Sequence, residues 1–457
     1  MPTWATALFT YESLLAHSLE ILSSYLTIFT LLANEMNAFS ALKFITCGSV
    51  DDGKSTLIGR LLIDTKAVLQ DQMAGVSKSG TADLALFTDG LSAEREQGIT
   101  IDVAYRYFST PTRKFIIGDA PGHEQYTRNM VTAASSADAA VVLVDATKLD
   151  WKNPALVLLP QTRRHSLLVH LLRVPSMVFA INKLDAVSDA ALAFYNISAA
   201  LDTFAKEAGF TVVATVPISA LKGSNVVEPD GALANYSGES LLQILERLPS
   251  GRSETELPLS FPVQWVEKFS ASSDTSQSRR IFWGRVATGG LQAGQEISVL
   301  PSGQTATVVQ VLDHTREPKA VLAGMSAGVV LDREVDVSRG DWLLANHSFT
   351  TSRLLTGTVA WMDDVPLIAG RVYWALHGHR WVKAKVARIA YKLNIHTLAR
   401  EEASELAPNA IGEIELALQE PLATLPYSQS KTLGALILVD TASHKTSGAV
   451  LISGAAS

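Results

Sequence analysis

The sequence predicts an α/β domain, with a mainly parallel sheet covered by helices on both faces, followed by two all-β barrel domains. Between residues 43 and 250, short apolar segments alternate with longer segments of helical periodicity, which is typical of a parallel sheet. A polar, proline-bounded stretch then separates this part from a series of short apolar segments punctuated by glycine, which is typical of barrels or sandwiches. We therefore expect domains at 43–250, 257–345 and 346–457.

In the α/β domain the apolar segments predict five buried strands, at 43–47, 114–120, 139–147, 176–183 and 211–219. Helices are expected to begin near Gly53, Glu124, Thr162, Ser188 and Gly238. The segment "RYFST", which precedes Lys114, is predicted to be an antiparallel edge strand. In the second half, "LSFPVQWV", "QEISVL", "TATVVQVL", "RLLTGTVAWM" and "WVKAKVARIAY" are typical barrel strands.

The composition excludes several classes of protein. Hydrophobic residues make up 47% of the 457 residues, which excludes a disordered chain. The net charge of −7 argues against broad nucleic-acid binding, so we expect no DNA partner. A single cysteine, Cys47, excludes an internal disulfide and a cysteine-based metal site. We expect it to be a small buried residue at a strand end in a cytoplasmic protein.

The first 42 residues form a separate N-terminal extension. They contain no Lys or Arg, so the positive region of a signal peptide is missing. Their longest apolar run, "ILSSYLTIFTLLA", is 13 residues, too short for a transmembrane helix, and we expect no membrane span. Two interpretations stay open: an amphipathic helix, or an upstream extension of a protein whose true start is Met36.

A phosphate-binding loop is predicted between the first strand and the first helix. Residues 48–55 match G-x-x-x-x-G-K-[ST], in which glycines and the helix N-terminus direct N–H groups at phosphate oxygens. Lys54 would contact the β- and γ-phosphates and Ser55 would bind Mg²⁺. The residues assigned to the nucleotide here are Gly48, Ser49, Val50, Asp51, Asp52, Gly53, Lys54, Ser55 and Thr56. The Asp51 and Asp52 side chains are expected to point away from the phosphates and to cap local N–H groups or face the switch loops.

Three further motifs follow predicted strands. In "DAPGH", Asp119 would hold Mg²⁺ through water and the Gly122 N–H would meet the γ-phosphate. In "NKLD", Asp185 can accept two hydrogen bonds from guanine but not from adenine, while Asn182 would brace the loop and Lys183 would cover the base. In "SAL", a backbone N–H would reach guanine O6. The remaining motif residues assigned to the nucleotide are Ala120, Pro121, His123, Leu184, Ser219, Ala220 and Leu221. The order of the motifs predicts a GTP site.

With these motifs and "EREQGITID", the chain resembles the translation-factor-type GTPases over residues 43–457. The segments "FTDGLSAEREQGITIDVAYRYF" and "GDAPGHEQYTRNMVTAASSADAAVVLVDAT" resemble, more narrowly, the large GTPase subunits of heterodimeric bacterial sulfate adenylyltransferase (ATP sulfurylase). Elongation factors of this class usually have "GHVDHGKTT" and "DCPGH", so Asp52 and Ala120 favour the narrower family. We therefore read Asp52 as a family marker, whose change to His would alter nucleotide affinity only a few-fold.

The resemblance implies a division of labour between two chains. A separate small subunit would transfer the adenylyl group of ATP to sulfate, giving adenosine 5′-phosphosulfate and pyrophosphate for sulfate assimilation and for hydrogen sulfide and cysteine biosynthesis. This chain would bind and hydrolyse GTP to drive that step. His123 would position the attacking water and Thr100, with Ser55 and Asp119, would complete the Mg²⁺ site. Two alternatives remain: an elongation-factor-like translational GTPase, and a switch that binds GTP and a partner without catalysis.

Three further features are left open by the sequence. Arg163, Arg164 and His165 in "QTRRH" are expected either to contact a partner or to be solvated. The insertion at 149–160 is expected either to be a packed loop extension, which we favour, or to contact the partner subunit. His377 and His379 are expected to be exposed residues flanking a β-turn rather than metal ligands.

Overall fold

The computed structural model describes residues 41–67, 103–120, 127–250, 254–268, 280–317, 319–394, 397 and 399–455. The N-terminal predictions and the predicted site residues Thr100, Pro121, Gly122 and His123 lie outside these residues. Within them, no helix combines the length and the apolar character that a membrane crossing requires.

The first domain contains a six-stranded sheet, with the strands β1 (Leu42–Cys47), β2 (Ala104–Ser109), β3 (Lys114–Asp119), β4 (Ala139–Asp145), β5 (Ser176–Asn182) and β6 (Ala214–Pro217). Their order across the sheet is β2-β3-β1-β4-β5-β6. The helices described are α1 (Lys54–Asp64), α2 (Thr127–Ser135), α3 (Pro160–Leu171), α4 (Ala190–Ala208) and α5 (Leu241–Arg247). All pairs are parallel except β2 with β3, so the predicted parallel sheet and the antiparallel edge strand are both confirmed.

Alternate residues of the central strands pack against helices on opposite faces of this sheet, as strand geometry requires. Val142 and Val144 of β4 belong to the core on the side of α2, α3 and α4. Val141 and Leu143 belong to the core on the side of α1 and α5. Cys47 ends β1 and is fully buried, so its predicted structural place is confirmed.

The second half of the chain forms two closed antiparallel barrels of six strands each. The strands are β7 (Ser260–Lys268), β8 (Arg280–Arg285), β9 (Gly290–Leu291), β10 (Glu296–Leu300), β11 (Thr305–Leu312), β12 (Val321–Leu322), β13 (Ser326–Leu331), β14 (Trp342–Ala345), β15 (Thr351–Trp361), β16 (Leu367–Ile368), β17 (Val372–His377), β18 (Arg380–Leu393), β19 (Arg400–Glu401), β20 (Glu405–Leu406), β21 (Ile411–Ala423), β22 (Ala435–Asp440) and β23 (Thr446–Ala455). The first barrel has the order β10-β11-β13-β8-β7-β14. In the second, the sheet β17-β22-β23-β15-β21-β18 closes through β17 and β18, and β19 extends it.

The second barrel packs directly on the α3 side of the first domain. Its residues Met362, Ile411 and Ala449 are buried in the same apolar cluster as the helices of the sheet. The Tyr427 hydroxyl donates a hydrogen bond of 3.0 Å to the Leu172 carbonyl, just after α3. The first domain and the second barrel therefore share one continuous core.

This packing corrects the expectation for "QTRRH". Arg164 and His165 are buried on α3, and Arg164 Nη2 donates to the Asn409 carbonyl of the second barrel at 3.3 Å. Burial lowers the pKa of His165 to about 3. Both interpretations offered for these two residues were wrong, because the inner side of α3 faces a barrel of the same chain.

The insertion at 149–160 is a packed loop extension, as favoured from the sequence. Leu149, Leu156 and Leu158 are buried in the core beside α3 and α4. The Trp151 carbonyl accepts a hydrogen bond of 2.9 Å from the buried Asn196 of α4. The insertion is thus held on the first domain by three buried side chains and one backbone hydrogen bond.

The two barrels meet at an apolar cluster of Trp342, Leu344, Ala423 and Leu433. His377 lies fully buried beside Trp342, with its Nε2 3.1 Å from the Leu433 carbonyl. The prediction that His377 is exposed was therefore wrong, because the turn that follows it is covered by the other barrel.

Candidate nucleotide-binding site

The predicted site residues within the described parts of the chain come together at one edge of the first sheet. The carboxyl ends of β1, β4, β5 and β6 lead into the phosphate loop and into the segments at 145–148, 182–185 and 218–221. This is the edge at which open α/β sheets bind their ligands.

The phosphate loop is shaped by Gly53, which precedes α1. Gly53 has a φ of +93°, and a Cβ atom there would lie 2.5 Å from the Asn182 side-chain nitrogen. A side chain is therefore excluded by backbone conformation and by space. Gly53 thus allows the loop to pass directly beneath the "NKLD" segment before α1 begins.

Lys54 begins α1 and is almost completely buried under the loop. Its Nζ donates hydrogen bonds to the carbonyls of Gly48 and Ser49, at 3.1 and 2.8 Å. Burial lowers the pKa of Lys54, and the nearby Asp119 and Asp52 carboxylates oppose that shift. A buried cation in the first turn of a helix, together with the positive end of the helix dipole, provides the charge that a polyphosphate requires.

Asp52 is fully buried and caps a local N–H group, as one of the sequence expectations stated. Its Oδ2 accepts the Ser49 N–H at 2.6 Å, and its Oδ1 lies 3.0 Å from Lys148 Nζ. Burial raises the pKa of Asp52, and the hydrogen bond and charge of Lys148 oppose this shift. The carboxylate therefore acts within the loop rather than toward a phosphate.

Asp119 ends β3 and is buried beside β1, where the Thr46 hydroxyl donates to its Oδ1 at 3.3 Å. Asp119 and Ser55 offer hard oxygen atoms, which Mg²⁺ prefers. Across the described ranges, no group of three or more His, Cys, Asp or Glu residues could hold a metal. The two oxygen donors fit the chemistry of Mg²⁺, which is commonly bound by one or two protein oxygens together with nucleotide phosphates.

The "NKLD" and "SAL" segments are joined to the phosphate loop by Asn182. Its Nδ2 donates to the Asp52 carbonyl at 2.8 Å, and its Oδ1 accepts the Ala220 N–H at 3.0 Å. The predicted bracing role is thus visible in its contacts. Asp185 of "NKLD" has its Oδ2 3.3 Å from Lys222 Nζ, and Leu221 of "SAL" is largely exposed.

Comparison with known proteins agrees with this geometry. Residues 40–250 match the family model described as Elongation factor Tu GTP binding domain, and residues 355–453 match GTP-eEF1A C-terminal domain-like. Sulfate adenylyltransferase subunit 1 of Laribacter hongkongensis is 41% identical over 440 residues, covering 92% of this chain and 88% of that protein. The protein of the same name from Aeromonas hydrophila is 44% identical over 423 residues, covering 90% and 86%. The chain belongs to the sulfate adenylyltransferase subunit 1 family.

The family assignment and the GTP-binding domain confirm the resemblance stated from the sequence. A solved structure of Sup35 complexed with GDP aligns at a TM-score of 0.41 and 20% identity, over 92% of this chain and 95% of that one. This alignment adds nothing to the assignment.

Two charged residues of this candidate site were not predicted from the sequence. Asp145 is the last residue of β4, and Lys148 follows three residues later. Lys183 Nζ lies 2.7 Å from Asp145 Oδ2, and Lys148 pairs with Asp52. The sequence did contain a signal for Asp145, because it is an acidic residue at the end of a buried strand on the ligand-binding edge. The ends of the neighbouring strands had all been assigned to the nucleotide.

Proposed function

We propose that this chain is the GTP-hydrolysing subunit of a sulfate adenylyltransferase. It couples GTP hydrolysis to the formation of adenosine 5′-phosphosulfate and pyrophosphate from ATP and sulfate, and a separate small subunit carries out the adenylyl transfer. The observation that carries the proposal is the set of contacts in the loop of a subunit 1 family member: Lys54 donates to the Gly48 carbonyl, and Asn182, packed against Gly53, donates to the Asp52 carbonyl.

Within this proposal, the phosphate loop and Lys54 bind the phosphates, and Asp185 selects guanine. Ser55, Thr100 and Asp119 hold Mg²⁺, which neutralises charge on the phosphates when bound. His123 orients the attacking water, and Lys54 and Thr100 stabilise the developing charge. The roles of Thr100 and His123 are assigned from the sequence motifs, because both residues lie outside the part of the chain that the structure describes.

Coupling requires that the GTP and GDP forms bind the small subunit with different affinities, because a ligand shifts an equilibrium only by its differential binding. Formation of the sulfate–phosphate anhydride is uphill, and GTP hydrolysis supplies the driving force. We include a cytoplasmic location in the proposal, since one cysteine in 457 residues is typical of reducing compartments.

The test is to purify this chain together with its small subunit and to measure pyrophosphate release from ATP and sulfate, with and without GTP. We expect GTP to stimulate release, and Lys54→Ala to abolish the stimulation. The translational alternative predicts instead that aminoacyl-tRNA and ribosomes stimulate GTP hydrolysis. That outcome, together with no GTP effect on pyrophosphate release, would overturn the proposal.

A non-catalytic switch makes a different prediction for His123→Ala. If the chain only binds GTP and a partner, this variant hydrolyses GTP as slowly as the wild type and still assembles. We expect it to assemble with the small subunit normally and to lose most GTP turnover, because the attacking water is no longer positioned.

A further inference from the structure

We propose that Asp145 and Lys148, which belong to none of the nucleotide motifs, are positioning residues of the guanine-nucleotide site. Asp145 holds Lys183 against the phosphate loop, and Lys148 holds Asp52 within it. The inference rests on the proposed binding of GTP, which it extends to two further residues.

The Asp145 carboxylate is oriented by hydrogen bonds from Thr147, two residues later in the chain. It is fully buried at the end of β4, where its Oδ1 accepts the Thr147 N–H at 2.9 Å and the Thr147 hydroxyl at 2.6 Å. Its Oδ2 is then directed at Lys183 Nζ, 2.7 Å away. Burial raises the pKa of Asp145, but the hydrogen bonds from Lys183 and Thr147 outweigh burial and hold the pKa below its usual range.

Lys183 is extended between two acceptors. Its Nζ also donates to the Asp51 carbonyl at 2.6 Å. Lys183 and Asp51 both have left-handed backbone conformations, with φ values of 62° and 63°. Such conformations are strained for residues with a side chain and persist where the surroundings impose them. The Asp145 carboxylate is part of those surroundings.

Lys148 is a second lysine that contacts both the phosphate loop and the Asp145 carboxylate. Its Nζ lies 3.0 Å from Asp52 Oδ1, 2.5 Å from the Val50 carbonyl and 3.8 Å from Asp145 Oδ2. Since Asp52 in turn accepts the Ser49 N–H, Lys148 fixes the turn at 49–52 through both a side chain and a carbonyl. The direction of the loop N–H groups depends on that turn.

The four charges alternate across the site in the order Asp52, Lys148, Asp145, Lys183. Both carboxylates are fully buried, whereas each lysine side chain is about one-third exposed. A buried carboxylate without a counter-charge is strongly unfavourable. Removing one lysine or one carboxylate therefore displaces the loop that its partner holds, and the phosphate and base segments lose their mutual placement.

The experiment measures dissociation of N-methylanthraniloyl-GDP from the full chain after mixing with excess unlabelled GDP. We expect Asp145→Asn and Lys148→Met each to accelerate dissociation about 10- to 100-fold, which lies within the range of interaction energies for neighbouring residues of one ion-pair network. Lys148→Arg, which keeps the charge, should stay within about threefold of wild type. Because Lys148 is partly exposed, its variants test the proposal even where Asp145→Asn folds poorly.

A double-mutant cycle identifies the partner of Lys148. If Lys148 acts through Asp52, Lys148→Met should accelerate dissociation much less in the Asp52→Asn background than in the wild type. Independent, multiplicative effects of the two substitutions would overturn the assignment of Lys148 as the residue that positions Asp52.

Asp440→Asn is the matched control. Asp440 also ends a strand, β22, caps the following N–H groups of Ala442 and Ser443, and pairs with Arg371 at 2.6 Å, but in the second barrel. We expect it to lower stability without changing GDP dissociation. The proposal fails if Asp440→Asn accelerates dissociation as much as Asp145→Asn, or if neither Asp145→Asn nor Lys148→Met changes it by more than twofold. A wild-type chain that does not bind the probe overturns the proposed function and this inference with it, so the two failures are distinguishable.

Discussion

Replacing Gly53 with Ala tests whether the phosphate loop and the base-binding segment form one unit. The new Cβ atom would lie 2.5 Å from Asn182 Nδ2, a separation that real structures do not tolerate. The φ of +93° adds strain of about 1–2 kcal/mol for a residue with a side chain. Displacing Asn182 breaks its bonds to the Asp52 carbonyl and the Ala220 N–H, each with a net contribution of about 0.5–1.5 kcal/mol. Together, the backbone strain and the two lost hydrogen bonds should destabilise the folded protein by about 2–5 kcal/mol.

Gly209→Ala separates the strain from the clash. Gly209 follows the last residue of α4 and has a φ of +74°, and a Cβ atom there meets nothing within 4 Å. Backbone strain alone should lower the free energy of unfolding of this variant by about 1–2 kcal/mol, and the variant should bind GDP like the wild type.

Urea unfolding and a GDP titration on both variants complete the assay. If the loop rearranges to relieve the clash in Gly53→Ala, the cost appears as weaker GDP binding, by about 30-fold or more for 2 kcal/mol. Equal stability of the two variants, together with wild-type GDP affinity for Gly53→Ala, would refute the argument that Asn182 couples the two segments.

Three further predictions concern groups outside the loop. Cys47 should resist thiol reagents in the native chain and react on unfolding, because burial raises its pKa to about 12; stoichiometric native labelling would contradict this. Tyr427→Phe should lower the free energy of unfolding by about 1–3 kcal/mol, since a buried carbonyl after α3 loses its donor; no change in a urea titration would show that water replaces the hydroxyl. Hydrogen bonds from the Ser443 N–H and Arg371 hold the pKa of Asp440 well below its usual range, so its contribution is present above about pH 4 and is lost at lower pH. The stability difference between wild type and Asp440→Asn should accordingly be constant from pH 6 to about pH 5 and shrink between about pH 4 and pH 2, and a difference that stays constant over that lower range would count against the ion pair.

Periodicity and local motifs were enough to predict the sheet, its antiparallel edge strand and the convergence of the phosphate loop with "NKLD". Strand ends on one edge of a parallel sheet meet by construction, so Lys54 and Asn182 needed no tertiary information. Lys148 and Asp52 are 96 positions apart, and nothing local shows that their side chains pair. For this reason Asp52 looked like a family marker from the sequence, whereas its burial and its ion pair indicate a role in the loop.

The burial of Arg164 and His377 shows the second limit of sequence reasoning. Polar residues on a helix face or at a turn are usually solvated, and a pattern within one element does not reveal which other domain covers it. Both residues are covered by a barrel of the same chain. Only the docking of complete domains determines their environment.

The shared core between the first domain and the second barrel matters for anyone who expresses the nucleotide-binding part alone. Truncation after residue 250 removes Met362, Ile411 and Ala449 and uncovers the apolar side chains beneath them. An apolar surface uncovered in this way promotes aggregation. The shortened protein should therefore be less soluble than the full chain, even though every strand of its sheet is retained.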